Sequence, residues 1–375
     1  MKYVDEFRDE GAAEELIRVI RRRATRRRTI MEVCGGQTHG LLRYGIDEAL
    51  ADVVELIHGP GCPVCVTAAE RIDRAISLAE RPGVLLTTFG DMLRVPGNRR
   101  SLAAARATGA QVRAVYSPLD AVTLAERHPD LQIVFFAVGF ETTAPTTALA
   151  VQQAARRGLV NFSLLTAHVR VLPAMEAILQ SPENRVEAFL AAGHVCTITG
   201  QESYEEPCRR YRVPIVVTGF EPTDLLQGIL ACVDQLESGR HEVESRYDRC
   251  ARPEGNLQAQ RLVEEVFEPC DQSWRGLGAM PRGGLKLREA WREFDATFRF
   301  PDSQPACEHH GRCRSGEVLS GRIRPTQCPA FGTECTPDSP LGAPMVSSEG
   351  ACAAYFQFHP PVTPLAVVDP AERSP

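Results

Sequence analysis

The sequence predicts an α/β protein with two similar lobes, each built on a largely parallel sheet, and a third, mostly helical or irregular C-terminal part. Short apolar runs alternate with helix-like segments from residue 29 onward, which is typical of strands joined by helical crossovers. The same alternation begins again after residue 145. From about Val243 the periodicity weakens and glycine and proline become frequent, so a different kind of structure is expected there.

The first lobe is expected over residues 29–145, after an N-terminal helix over Tyr3–Arg28. Its predicted strands are Thr29–Cys34, Val53–His58, Val84–Thr88, Gln111–Tyr116 and Ile133–Val138. Its predicted helices are Gly40–Ala51, Ala68–Glu80, Leu102–Thr108 and Ala121–His128. Ligands bind beyond the carboxyl ends of the strands in such sheets, so we expect four loops to share that edge: those at Cys34, Gly59, Gly90 and Gly139.

The second lobe is expected over residues 146–242. Its predicted strands are Asn161–Ala167, His194–Thr199 and Ile215–Thr218, and its predicted helices are Ala148–Arg157, Leu172–Gln180, Val186–Ala192 and Asp224–Glu237. The segments Gly139–Thr142 and Gly219–Pro222 both begin Gly-Phe-Glu after an apolar run, and this echo supports two related lobes. The third part covers residues 243–375 together with the N-terminal helix 1–28, and its predicted helices are Gln258–Phe267 and Leu287–Phe294.

Composition excludes several classes of function. The net charge of −6 argues against a general nucleic-acid binder. The longest apolar run, Ile133–Phe140, is far too short to cross a bilayer, and residues 1–10 lack the apolar core of a signal peptide. A cytoplasmic protein is therefore expected. In that compartment 13 cysteines favour metal binding or redox chemistry over a framework of structural disulfides.

Two cysteine-bearing loops each follow a predicted strand. In the second, Gly59-Pro-Gly-Cys62-Pro-Val-Cys65, two intervening residues let both sulfurs bind one metal ion or form a disulfide. The alternatives are two structural cysteines and a zinc site. Zinc sites usually use two such pairs, and the sequence has no second C-x-x-C.

The first loop is Cys34-Gly-Gly-Gln-Thr-His39, which places a thiol and an imidazole five residues apart. Together they could bind a soft or borderline metal, or act as a nucleophile and its base. The alternative is a core cysteine beside a histidine at the start of a helix. Glu141 follows the most apolar strand and is a candidate acid, base or hydrogen-bond acceptor, while the adjacent threonines could cap the next helix.

Four cysteines near the end of the chain form a second group. Four thiolates on a Gly- and Pro-rich backbone suit either a [4Fe–4S] cluster or an all-cysteine zinc site. Because the spacing lacks the paired C-x-x-C knuckles of zinc ribbons, we favour a [4Fe–4S] cluster on Cys313, Cys328, Cys335 and Cys352. Cys307, His309 and His310 lie just upstream as substitutes or spectators, and five other cysteines are interpreted as structural: Cys196, Cys208, Cys232, Cys250 and Cys270.

Taken together, these motifs resemble the hydrogenase maturation factor HypD family over nearly the whole chain. The stretches that carry the resemblance are Cys34–His39, Gly59–Val66, Gly139–Pro145, Gly316–Leu319, Cys335–Pro337 and Met345–Tyr355. Two positions depart from the family pattern, because many relatives have a further cysteine at the position of Ser315 and some have one at that of Pro344. Cys307 is therefore the alternative to Cys313 as first cluster ligand.

The resemblance implies two α/β lobes around a cleft, and a third part that carries the [4Fe–4S] cluster. It further implies a scaffold for assembling the Fe(CN)2CO unit of [NiFe]-hydrogenases, working with a HypC-type chaperone and a HypE-type cyanide donor. Transient iron would be held by Cys34, with His39 orienting or protonating within the site. Cys62 and Cys65 would be a redox couple between the cluster and the iron, and Glu141 would line the cleft. Whether such a redox-active scaffold is an enzyme stays open, since no conventional substrate turnover is evident from the sequence.

Two other functions remain open from the residues. One is a thiol–disulfide oxidoreductase that uses Cys62 and Cys65 and has a structural metal in its C-terminal part. The other is a zinc-stapled binding protein.

Overall fold

The computed structural model describes residues 5–301 and 312–360. The strands are β1 (Arg28–Glu32), β2 (Val54–His58), β3 (Val84–Thr88), β4 (Val112–Ala114), β5 (Gln132–Gly139), β6 (Phe162–His168), β7 (Ala188–Ala192), β8 (Ile215–Thr218), β9 (Val243–Ser245), β10 (Phe267–Trp274) and β11 (Gly278–Leu287). The helices are α1 (Glu10–Arg23), α2 (Gly35–Arg43), α3 (Ile46–Ala49), α4 (Pro63–Val66), α5 (Ala69–Ala79), α6 (Leu102–Ala107), α7 (Pro118–Arg127), α8 (Ala144–Arg156), α9 (Val171–Gln180), α10 (Gly193–Thr199), α11 (Glu205–Tyr211), α12 (Pro222–Ser238), α13 (Leu257–Val266), α14 (Ala296–Arg299), α15 (Ser315–Leu319) and α16 (Ala351–Phe358). Short 3-10 turns cover Asp5–Phe7, Gly90–Arg94, Glu202–Tyr204, Glu289–Phe294, Pro325–Gln327 and Ala343–Met345.

Two parallel sheets confirm the predicted α/β class. The first sheet has the strand order β2-β1-β7-β8-β9 and the second has the order β4-β3-β5-β6. All neighbouring strands within each sheet run parallel. Their central strands are apolar and buried because helices cover both faces. The carboxyl ends within one sheet consequently meet at a single edge, and the loops that follow them are brought together there.

The predicted boundary at residue 145 does not separate the strands of the two sheets. β1 and β2 precede that boundary, yet they share a sheet with β7, β8 and β9. The chain leaves the first sheet after β2, builds the whole of the second sheet, and returns at β7. Helix α1, which we grouped with the C-terminal part, packs through Ile20 in the apolar core of the first sheet.

The prediction for residues 186–199 is wrong. A helix over Val186–Ala192 and a strand over His194–Thr199 were expected, whereas the structure has strand β7 followed by helix α10. All five residues of β7 are buried between β1 and β8, so tertiary burial overrides the helix propensity of its alanines. The β-branched residues of α10 gave the opposite false indication.

An antiparallel hairpin, β10–β11, was also missed in the region expected to be helical or irregular. Its strands carry charged, proline and glycine residues that obscure the alternation, and the pairing has an irregularity between Cys270 and Gln272. The hairpin packs on the second sheet, where the backbone N–H of Arg170 donates to the carbonyl of Gly283 at 3.0 Å. The predicted helix Leu287–Phe294 is instead the end of β11 and a 3-10 turn, whereas the helix over Gln258–Phe267 is confirmed as α13.

Within residues 5–301 and 312–360, the structure contains no helix that is both long enough and apolar enough to cross a bilayer.

Candidate functional site

Cys34 lies at the carboxyl edge of the first sheet, between β1 and α2, and only 2% of its surface is exposed. The loop after β2 packs directly on its backbone. A methyl group on Gly61 would lie 2.3 Å from the Cα of Cys34, so only glycine fits at this position. The N–H of Gly35 also donates to the carbonyl of Gly61 at 3.1 Å. The two cysteine-bearing loops that we identified in the sequence therefore lie against each other.

The imidazole at the Cys34 thiol belongs to His194. Its Nδ1 and Nε2 atoms lie 3.7 and 3.8 Å from the sulfur. Phe220, which follows β8, stacks on the His194 ring with a centroid distance of 5.1 Å and an interplanar angle of 22°. These residues come from the edge of the same sheet, because His194 begins α10 directly after β7. The Cys34 sulfur is thus in contact with an imidazole ring, which is held in place by a stacked aromatic ring.

His39, which we predicted at this site, packs elsewhere. Its ring lies edge-on against Phe358 of α16 with centroids 5.0 Å apart. The pattern of residues 194–199 predicts a strand, and for that reason His194 was not among the predicted site residues. A usable signal was present: Gly193 and His194 follow a short apolar run, just as Cys34 does.

The electrostatic environment keeps the Cys34 thiol protonated. Burial is the main cause that raises the pKa of Cys34, and the nearby carboxylates of Glu349 and Glu32 raise it further. Burial also lowers the pKa of His194, which favours the neutral ring. A cysteine that acts as a free-standing nucleophile normally has a lowered pKa. This thiol is better suited to lose its proton when a cation binds at the sulfur.

Cys62 and Cys65 are joined as a disulfide in the structure. Cys62 is the N-cap of the short helix α4, and its sulfur accepts a hydrogen bond from the N–H of Cys65 at 3.2 Å. Both residues lie in the buried core, with 3% and 0% of their surface exposed. The pair is therefore shielded from bulk thiols in this conformation.

Glu141 lies at a different place, beyond the carboxyl end of β5. Its Oε1 accepts the N–H of Val171 at 3.1 Å, whereas its Oε2 is buried and has no hydrogen-bond partner among the residues described. Burial raises the pKa of Glu141. The side chain lines a cavity of about 520 Å³ together with Arg170, Tyr204 and Val195. Helix α10 therefore takes part in both places, since its His194 contacts Cys34 and its Val195 lines the cavity beside Glu141.

The four C-terminal cysteines converge on one small, mostly apolar cavity. Its lining includes Cys313, Cys328, Cys335 and Cys352. The N–H of Leu341 donates to the sulfur of Cys335 at 3.4 Å. Burial, followed by the three other thiols, raises the pKa of Cys352.

Four mutually close thiols with an N–H donor and apolar walls are a donor set that fits the predicted [4Fe–4S] cluster. No group of three or more His, Cys, Asp or Glu side chains in residues 5–301 and 312–360 is arranged to hold a single metal ion. Cys307, His309 and His310 lie outside the described residues.

The cavity and the disulfide are neighbours. The turn Ala343–Met345 packs against α4, and Met345 lines the four-cysteine cavity. On the other side, the backbone of Glu349 lies against the Cys34 loop, since a methyl on Gly35 would be 2.3 Å from its carbonyl oxygen. The disulfide loop therefore contacts both the Cys34 loop and the segment that lines the cavity.

The fold and these three cysteine sites define a thiol-rich α/β protein whose sulfurs are concentrated in adjoining loops. A family model described as "Hydrogenase formation hypA family" and labelled HypD matches residues 11–359. The chain is 49% identical to the "Hydrogenase maturation factor HypD" of Azotobacter vinelandii over 367 residues, which cover 96% of this chain and 97% of the relative. It is 45% identical to the protein of the same name from Escherichia coli K12 over 369 residues, covering 96% of this chain and 98% of the relative. The chain belongs to the HypD family of hydrogenase maturation factors.

Proposed function

We propose that this protein is the scaffold on which the Fe(CN)2CO unit of [NiFe]-hydrogenases is assembled, in the cytoplasm. The observation that carries the proposal is the packing of the Cys62–Cys65 loop. It contacts Cys34 on one side, and on the other it contacts the turn Ala343–Met345, which lines the four-cysteine cavity. Cys34 holds the iron as cargo, a HypC-type chaperone supplies a second thiolate, and a HypE-type protein supplies cyanide. Thiolate is a suitable ligand for iron that carries strong-field ligands.

The residues around Cys34 have different roles in this proposal. When iron binds, the thiol proton passes from the Cys34 sulfur to Nδ1 of His194, and the charge of the iron offsets the burial of the thiolate. In this proposal the proton is taken by His194, and not by His39 as the resemblance implied. His39 instead connects α2 to α16 through Phe358. Glu141 offers a hydrogen-bonding carboxyl group in the adjoining cavity.

The disulfide is the redox partner of this site. Reduction of the Cys62–Cys65 bond takes two electrons and two protons and yields two thiols. Its place beside Cys34 suits a couple that serves the bound iron. Cys313, Cys328, Cys335 and Cys352 would hold the [4Fe–4S] cluster, which supplies one-electron redox chemistry when bound.

A free-standing thiol–disulfide oxidoreductase is the second candidate, and the bonded pair in α4 favours it. The burial of Cys62 and Cys65 argues against this function, because exchange with an external thiol requires access to a sulfur. The scaffold function needs no such access.

The test is infrared spectroscopy of protein produced with its HypC-type and HypE-type partners and purified without oxygen. The wild type should show cyanide and carbonyl stretches. Cys34→Ala should lose them and keep iron–sulfur absorbance, because a methyl group cannot replace a thiolate ligand. Cys232→Ala, which alters a buried cysteine of α12, is the matched control and should keep the bands. Undiminished bands in Cys34→Ala would refute the ligand role.

A further inference from the structure

A buried carboxylate holds the backbone of Cys34. Glu32 ends β1 and has no exposed surface. Its Oε2 accepts the N–H of Cys34 at 2.9 Å, and its Oε1 accepts from Nδ1 of His58 at 2.7 Å and from the hydroxyl of Thr38. A buried carboxylate is tolerated only when such donors compensate for its lost hydration. The position of the Cys34 loop therefore depends on Glu32 keeping its partners.

His58 connects this carboxylate to the C-terminal segment. It ends β2 and is 3% exposed. Nδ1 of His58 lies at the Glu32 carboxylate, and Nε2 on the other side of the ring lies 3.1 Å from the hydroxyl of Tyr355. Burial raises the pKa of Tyr355, so its hydroxyl keeps its proton at neutral pH. The His58 and Tyr355 rings also pack edge-on, with centroids 5.2 Å apart.

Tyr355 lies on the helix that lines the four-cysteine cavity. It follows Cys352 by three residues in α16, and residues three apart share one face of a helix. Cys352 lines the cavity, whereas Tyr355 faces His58. A continuous series of hydrogen bonds therefore runs from α16 through His58 and Glu32 to the N–H of Cys34.

We propose that Tyr355, His58 and Glu32 are positioning residues that couple the four-cysteine cavity to the Cys34 loop. Filling of the cavity fixes α16, the Tyr355 hydroxyl fixes the His58 ring, and Glu32 holds the Cys34 backbone in its closed position. Loss of any member loosens the loop and exposes the Cys34 thiol. The inference rests on the proposed function only for the identity of the group that fills the cavity.

The test is the rate at which iodoacetamide alkylates Cys34, followed peptide by peptide by mass spectrometry. Cys34 is buried, so the rate reports local opening of its loop. Tyr355→Phe removes one hydroxyl and keeps the ring. It should raise the Cys34 rate roughly 2- to 10-fold, the range expected for one lost hydrogen bond. Tyr211→Phe is the matched control, because it removes a hydroxyl that accepts from the side-chain N–H of Gln180 at 2.7 Å, away from His58 and Cys34.

Cys232 provides an internal reference for general destabilisation. It is fully buried in α12, and its sulfur contacts the carbonyl of Phe189. Its alkylation rate should not change in Tyr355→Phe. An equal rise at Cys34 and Cys232 would overturn the proposal, since it would show a global effect, and so would an unchanged Cys34 rate.

A double-substitution cycle tests the connection itself. His58→Asn keeps an N–H donor for Glu32 and loses the ring nitrogen that faces the Tyr355 hydroxyl. It should raise the Cys34 rate about as much as Tyr355→Phe, and the double variant should show no further rise. Fully additive effects would contradict a shared series of contacts.

Iron and sulfide content, measured on each variant, separates this inference from the proposed function. Wild-type protein without iron–sulfur absorbance would defeat the cluster assignment, yet the Tyr355 effect on Cys34 would remain measurable. Retained cluster with an unchanged Cys34 rate in Tyr355→Phe would defeat the coupling alone.

Discussion

At the scale of single residues, the contact between the two cysteine loops depends on the absence of a side chain at Gly61. The atoms nearest to a methyl group there are the N and Cα of Cys34, at 2.2 and 2.3 Å. Both are backbone atoms, so no flexible side chain can move aside. Gly61 therefore fixes the distance between the disulfide loop and the Cys34 thiol.

Gly61→Ala is expected to move the two loops apart and to lower the free energy of unfolding by about 1–3 kcal/mol, the usual cost of overpacking. Thermal unfolding and the alkylation rate of Cys34 would measure both effects. Gly90→Ala is the control, because among the described residues nothing beyond its chain neighbours lies within 4 Å of a methyl group at that position. Equal behaviour of the two variants would show that the close approach is unimportant.

His168 provides a pH-dependent contribution to stability. Burial lowers its pKa to about 4, and its Nε2 lies 3.1 Å from the hydroxyl of Thr147. The unfolded chain has an ordinary histidine pKa of about 6.5, so it binds the extra proton first as the pH falls. His168 therefore lowers stability progressively between about pH 6.5 and about pH 4 and has no such effect at higher pH.

His168→Gln should remove this dependence. The wild-type free energy of unfolding should fall relative to that of the variant by roughly 3 kcal/mol between about pH 7 and about pH 4. Urea denaturation at a series of pH values measures the difference. Parallel profiles for the two proteins would show that His168 keeps its ordinary pKa in the folded state.

At the scale of elements, the helix α4 and its disulfide behave as one unit. Cys62 caps the helix and Cys65 lies within its single turn, so reduction frees two thiols from one buried turn. Thiol counts on denatured protein, taken with and without a reductant, should differ by two in the wild type. In Cys65→Ser the two counts should agree, because Cys62 has lost its partner. A second pair that appears on reduction of this variant would indicate that Cys62 pairs elsewhere.

Elements were predictable where a local pattern decided them. The strands before Cys34 and Gly59 and the helix α13 follow from their apolar periodicity. The reversal of β7 and α10 had a non-local cause, since the Ala-Phe-Leu-Ala-Ala segment is a strand only because β1 and β8 lie on either side of it. That error also hid His194, which becomes visible as a site residue only when residue 193 begins a helix.

At the scale of the whole molecule, three cysteine sites that are far apart in the chain become neighbours. The cysteine motifs themselves were recognisable, because the spacing of thiols is a local property. Their contacts were not, since they depend on the return of the chain to the first sheet at β7 and on the packing of residues 343–350 against two loops. Neither the return of the chain nor this packing produces a periodic pattern in the sequence.

The last described segment, residues 312–360, has little regular structure with which to hold itself in place. It contains two short helices, α15 and α16, and a small apolar cluster that includes Phe331, Met345 and Tyr355. Thiolate–metal bonds at a closed site contribute on the order of 10 kcal/mol to folding in comparable small domains. We therefore expect much of the order of this segment to depend on the four cysteines.

Cys328→Ala should lose iron–sulfur absorbance and become sensitive to protease within residues 312–355, while both parallel sheets stay resistant. Each sheet has a buried apolar core on one face that includes no residue of 312–360. Limited proteolysis followed by mass spectrometry locates the cleavage sites, and Cys232→Ala serves as the control for loss of a buried thiol. If Cys328→Ala lacks iron but keeps the segment protected, apolar packing is sufficient to order it, and the cysteines are not needed for that order.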